Sequence, residues 1–155
     1  MAQTSYSQYQ DAGFAGMLYD IGDNNVMSYA AEAAVGFGKP VTLGTNKESE
    51  VNPVTTSVGQ AALAVGIALA SQTVEQTSGG VAQYAATETV PVIKRGRVWV
   101  ETDDAVTAGA VANLKLSNGK FTDEAVGAGI EAFTQFTARF ITSTAGAGLA
   151  VVEIK

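Results

Sequence analysis

The stretch VPVIKRGRVWVE, residues 90–101, decides the class of fold. Two runs of strand-forming residues, Val90–Ile93 and Arg97–Glu101, flank Lys94-Arg95-Gly96. In the second run Val98 and Val100 fall on one face, while Arg97, Trp99 and Glu101 fall on the other. A period of two marks a half-buried β-strand. Lys94-Arg95-Gly96 reads as a turn or a bulge, because glycine tolerates the backbone that either requires.

The same reading extends toward the C-terminus. After a turn at Thr102–Asp104, Ala110–Leu116 is a candidate strand. Ser117-Asn118-Gly119-Lys120 follows it, and Asn-Gly between apolar flanks is the strongest short hairpin signal. Phe121 starts the return strand, and the Gly-rich, acidic residues 123–131 form a loop. Ala138–Thr142, a turn at Gly146-Ala147-Gly148 and Leu149–Ile154 make a closing hairpin.

Toward the N-terminus, AALAVGIALAS (61–71) alternates large Leu63, Val65, Ile67 and Leu69 with Ala62, Ala64, Gly66 and Ala68. The alternation predicts a strand whose small face packs closely against a neighbour. Thr45–Gly59, with Asn52-Pro53, is expected to be a long loop, and Val26–Ala30 and Val41–Leu43 are short strands. The first 24 residues have neither period. They scatter Tyr6, Tyr9, Phe14, Met17 and Tyr19 among Gln, Ser, Gly and Asp. They form either a terminal segment packed on its own domain or an extended arm that docks on another subunit.

Composition agrees. Half of the 155 residues are Ala, Val, Gly or Thr, with 18 Val against 7 Leu and 6 Ile. Valine and threonine suit pleated surfaces, and glycine at this density interrupts helices. The expectation is an all-β chain: one small β-barrel or sandwich-like domain over 25–155, preceded by an extended N-terminal arm over 1–24. Length suits one domain.

Charge is sparse, with 9 basic and 15 acidic residues and a net of −6. Lys39 and Lys47 alone oppose eight acids in the first ninety residues. Such a chain repels a phosphate backbone, so no nucleic acid is expected as a direct partner. The chain has no His and no Cys. That excludes Ser-His-Asp and Cys-His catalysis, the usual zinc sites, haem ligation and disulfides. No enzyme activity, cofactor or metal is expected. The first basic residue is Lys39, so no charged leader precedes an apolar run, and no stretch approaches the ~20 apolar residues of a membrane helix. The product is expected to stay soluble where it is made, or to join an assembly there.

Few residues invite a chemical role. Asp103-Asp104 and Asp123-Glu124 are adjacent acids at turns, where Asp caps backbone for structural reasons. Gly127-Ala128-Gly129 and Gly146-Ala147-Gly148 lack the spacing of phosphate loops and read as turns. Lys94-Arg95-Gly96-Arg97 is the one basic cluster. Its arginines either meet carboxylates of a neighbouring subunit or partner, or form a solvated turn. Trp99 is a half-buried barrel residue or an interface anchor.

Several segments taken together carry a resemblance. They are Ala15-Gly16-Met17 with Asp20, Ser28-Tyr29-Ala30-Ala31-Glu32, Phe37-Gly38-Lys39-Pro40-Val41 with Gly44-Thr45, and Gly66-Ile67-Ala68. Val90-Pro91-Val92 with Gly96-Arg97-Val98-Trp99-Val100, Ala138-Arg139-Phe140-Ile141-Thr142 and Gly148–Ile154 complete the set. Their order over about 150 residues resembles the cement or decoration proteins of tailed-bacteriophage capsids. The resemblance implies a structural protein made in the host cytoplasm and carried on the outer capsid surface of the virion. It further implies a homotrimer that bridges and stabilises neighbouring major capsid subunits. Tyr6, Tyr9, Phe14, Met17, Tyr19, Arg95, Arg97 and Trp99 are then the candidates for capsid or subunit contact, and a chain lacking residues 2–22 should fold without bridging. The alternatives are another virion component (tail tube, adaptor or vertex protein) and a carboxylate-based ligand-binding or enzymatic β-barrel.

Overall fold

The computed structural model describes residues 13–71 and 82–155. Among these the regular structure is all β, apart from one 3-10 turn at Ala61–Leu63. The strands of the first half are β1 (Asn25–Ala31), β2 (Val35–Gly36), β3 (Pro40–Leu43), β4 (Glu50–Pro53), β5 (Ala64–Ala68) and β6 (Gln83–Tyr84). Those of the second half are β7 (Thr89–Thr102), β8 (Asn113–Lys115), β9 (Lys120–Thr122), β10 (Ile130–Glu131), β11 (Ala138–Phe140) and β12 (Gly148–Ile154).

Pairing in the order β1-β4-β3-β5-β7 closes into a barrel, because β1 also pairs antiparallel with β7. β7 is the shared spine. Its first half lies between β1 and β5, and its second half pairs along its length with β12, from Gly96↔Ile154 to Thr102↔Gly148. β9, β8 and β10 continue from the end of β7, and β11 closes on β12. The 90–101 stretch is thus one strand, and Lys94-Arg95-Gly96 is its bulge. Asn25 pairs with Arg95 and Val26 with Ile93, so Lys94 is the extra residue. Gly96 has φ +131°, open to glycine and strained for other residues.

The face assignments hold. Val98 and Val100 are fully buried in a core with Ile93, Phe121, Phe140, Val152 and Ile154. Burying each valine contributes about 1.5–3 kcal/mol. A second cluster fills the barrel with Tyr29, Val35, Val41, Val51, Tyr84, Val90 and Val92. Small side chains of the 61–71 run do pack closely: a Cβ on Gly66 would stand 2.5 Å from the Ile93 carbonyl oxygen.

Four local expectations need correction. The Thr45–Gly59 loop contains β4, held by antiparallel pairing to β3. The 61–71 strand is shorter than expected, because Ala61–Leu63 coils before β5 begins and leaves Leu63 exposed. Ala110–Leu116 narrows to Asn113–Lys115, and Ile130–Glu131 at the end of the acidic loop pairs with β8. The Asn-Gly hairpin is present, with Lys115 opposite Lys120. Its loop is longer than a two-residue turn: Gly119, at φ +64°, donates its N–H to the Lys115 carbonyl at 2.9 Å.

Candidate functional site

The outer face of the second half of β7 gathers most of the candidate residues. Gly16 donates to the Trp99 carbonyl at 2.8 Å, Trp99 to Met17 at 2.9 Å, and Tyr19 to Arg97 at 3.0 Å. Leu18 bridges Val98 and packs on the core. Alternation then turns Met17 and Tyr19 outward beside Trp99 and Arg97. The Tyr19 and Trp99 rings meet edge to face, with centroids 5.9 Å apart. Phe14 and Tyr19 remain 51% and 45% exposed. Gly13 lies so close over Trp99 that a Cβ there would meet the indole at 2.6 Å. Residues 13–19 therefore lie against their own domain. Tyr6 and Tyr9 fall outside the described residues.

Gly16 also ties this segment to the barrel, since its carbonyl accepts from the Ala70 N–H at 2.8 Å. A Cβ on Gly16 would stand 2.7 Å from the Ala70 nitrogen and 2.8 Å from that of Gly38. A Cβ on Gly38 would meet the Gly16 nitrogen at 2.7 Å. The two glycines face each other with positive φ, and only backbone fits between them.

The basic cluster meets acids of its own chain, a pairing that sequence reading did not anticipate. Arg97 stands between Asp20 at 2.9 Å and Glu153 at 3.1 Å, and Lys155 reaches Glu153 at 2.8 Å. Arg95 pairs with Asp23 at 2.7 Å, and the Lys94 ammonium lies 5.1 Å from the Tyr29 ring centre. Register puts Arg139, Glu153 and Arg97 side by side across β11, β12 and β7. Hydrogen bonds from Lys155 and Arg97 hold the Glu153 carboxyl below the usual range, although partial burial opposes them. Those same carboxylates, Glu153 before Asp20, push the Arg97 guanidinium up.

The turn Asp20–Asn24 thus clamps the bend in β7. The Asn24 amide donates to the Asp20 carbonyl at 2.9 Å, and its oxygen fills the space where a Gly96 Cβ would stand. The clamp presents Ile21 at its tip, 98% exposed. Sequence reading missed Asp20, Asp23, Glu153 and Ile21. Asp20 and Asp23 lie more than seventy positions from the arginines they meet, so no local spacing signalled the pairs.

The remaining motifs have structural partners. Asp103 pairs with Lys115 and Asn118, which hold its carboxyl low with Lys115 foremost. Asp104 accepts from the Thr122 hydroxyl at 3.3 Å, and Asp123 from the Thr107 N–H at 2.9 Å. Gly127 and Ile130 exchange backbone bonds across one glycine run, and Gly148 donates to the Thr102 hydroxyl beside the other. Among the described residues no group of three or more acids could hold a metal ion, and no helix is long and apolar enough to cross a membrane.

An all-β barrel of this kind agrees with what comparison finds. Residues 2–155 match the phage family described as structural cement protein (E217 gp24/Pam3 gp6). The chain belongs to that family. Among solved structures it is similar to a chain in the capsid of Myoviridae phage XM1, with a TM-score of 0.71 and 19% identity. That likeness covers 98% of this chain and 96% of the other, and it shows the shared fold. No match is found among curated proteins. The function is that of a phage structural cement protein, associated with the capsid. The β7 face is accordingly one surface of a cement protein, and its ion pairs tie β7 to β12 and to the leading segment.

Proposed function

We propose that this cement protein sits on the outer surface of the capsid as a homotrimer and bridges neighbouring major capsid subunits. Contact is made through the face that carries Phe14, Met17, Tyr19 and Trp99, with Arg95 and Arg97 beside it and Tyr6 and Tyr9 in the segment that leads to it. The observation that carries this is the convergence of half-exposed aromatic side chains on a backbone-fixed strand face. Rigid aromatic anchors lose little side-chain entropy on docking, and interface energy concentrates in such residues. Three such faces on one trimer bind at high effective concentration, so modest single contacts give tight cementing. The role is structural rather than catalytic, a reading supported by Asp103, Asp104 and Asp123, which are engaged by lysine, threonine and a backbone N–H.

The test is occupancy on purified virions, by quantitative mass spectrometry against the major capsid protein. A copy ratio near one to one is expected, whereas a handful of copies per particle would place the chain at the tail or a vertex. The double variant Phe14→Ser/Tyr19→Ser should keep the native circular dichroism and lose most of its occupancy. Unchanged occupancy of that variant would remove this face from the contact.

A further inference from the structure

β1 has an open edge. It pairs with β7 from Asn25 to Ala30, but on its other side β4 meets it only at Ala30 and Ala31. Among the described residues no strand covers the outer edge of residues 25–29. Asn25 to Ser28 are all exposed, including Val26 and Met27 at 41% and 45%. Soluble proteins usually guard such an edge with a charged side chain, lysine above all, or with proline. From Asn24 to Ala31 this one reads NNVMSYAA, with no charge and no proline.

We infer that β1 pairs antiparallel with β1 of a second copy of this chain, across a two-fold axis at Met27. The argument rests on the edge strand and is independent of the capsid reading. Backbone direction fixes the register. The Ala30 N–H points to the β4 side, donating to Ser49 at 2.7 Å, and the Ala31 N–H points to the β7 side, donating to Glu88 at 2.8 Å. Alternation turns the N–H and C=O of Val26 and Ser28 toward the free edge. An antiparallel pair exchanges both bonds between residues of that kind. Centring on Met27 sets Val26 against Ser28 of the partner copy and Ser28 against Val26 of the partner copy. Each such pair exchanges two bonds. Met27 then meets its own counterpart at a non-hydrogen-bonded position, as its β7-facing N–H requires. This centre also overlaps residues 25–29 in full, and centring on Val26 or Ser28 does not. Self-pairing needs a strand that places no like charges opposite one another, and an uncharged edge meets that need. The contact is isologous, so one pairing uses the β1 edge of both copies.

The chain has no cysteine, so single-cysteine variants give a clean readout. Non-hydrogen-bonded antiparallel partners stand about 4.5 Å apart at Cα, within disulfide reach. Purified full-length Met27→Cys should form a covalent dimer on mild oxidation at least tenfold faster than Val26→Cys or Ser28→Cys. Circular dichroism checks that each variant is folded. A Val26→Lys/Met27→Cys variant should lose most of that crosslinking, since it brings in a charge. Equal rates at all three positions, or no dimer from folded Met27→Cys, would overturn the inference. So would loss of the dimer on deleting residues 2–12, which would assign the edge to that segment. A dimer band appears on a denaturing gel whatever three-fold contacts exist elsewhere, so this test can fail while the capsid reading stands.

Discussion

Gly16 and Gly38 show how single residues hold the leading segment to the barrel. Each has positive φ, and each would drive a Cβ to within 3.0 Å of the other's neighbourhood. Gly59 and Gly109 also have positive φ, but a Cβ on either meets nothing within 4 Å. The pairs separate two costs. Gly59→Ala and Gly109→Ala should cost about 1 kcal/mol from backbone strain alone, and Gly16→Ala and Gly38→Ala about 3 kcal/mol or more, with the clash added. Urea unfolding measures both, and equal losses at all four positions would refute the steric account. Tyr84 is a second such residue. Fully buried, it donates its hydroxyl to the Leu69 carbonyl at 2.6 Å. Tyr84→Phe leaves that carbonyl unpaired and should cost about 1–2 kcal/mol in the same assay.

Among elements, the leading segment has the most testable position. Gly16, Met17 and Tyr19 exchange backbone bonds with β7, and Gly13 covers Trp99. Removing residues 2–22 therefore strips a strand edge and uncovers the only tryptophan. That truncation should lower stability by about 2–4 kcal/mol, at about 1 kcal/mol per lost bond, and shift Trp99 emission to the red. Removing residues 2–12 leaves those bonds in place. The cost of the longer truncation is compatible with the sequence expectation that it leaves a folded domain, which the same unfolding measurement checks. Where β elements were legible, strict alternation made them so: Val98 and Val100 against Arg97 and Trp99, or the run that closes in β12. β4 was hidden because its four residues, Glu-Val-Asn-Pro, bury only Val51 and end in a turn-forming pair. β2 and β6 are two residues each, too short to show any period. The candidate face was half legible. An aromatic side chain in polar surroundings marked Tyr19, and strand alternation marked Trp99 by setting it on the face of Arg97. The clamp of Asp20 on Arg97 spans 77 positions, and no local pattern announces a pairing at that range.

At the scale of the whole molecule, the distribution of titrating groups dictates how stability varies with pH. Glu153, Asp103 and Glu32 all have carboxyls held below the ordinary range. Lys155 is foremost for Glu153, Lys115 for Asp103 and the Thr45 hydroxyl for Glu32. A group whose folded pKa is depressed binds its proton more readily when unfolded. Its contribution is complete above the unfolded value, about 4, and is lost as pH falls through the folded value. Tyr84 has the opposite sign: burial foremost, then Glu88, pushes its hydroxyl up to about 12. Its contribution is complete below the unfolded value, about 10, and is lost as pH rises toward 12. Between these limits the chain has neither histidine nor cysteine to titrate. The expected profile is a plateau from about pH 6 to 9, with an acid limb below about 4 and an alkaline limb above about 10. Scanning calorimetry across pH 3–11 measures it. Glu153→Gln should shrink the acid limb, because it removes one of the carboxylates that must be protonated. Tyr84→Phe should shrink the alkaline limb and leave the acid one unchanged. A slope through pH 6–8 would contradict the assignment.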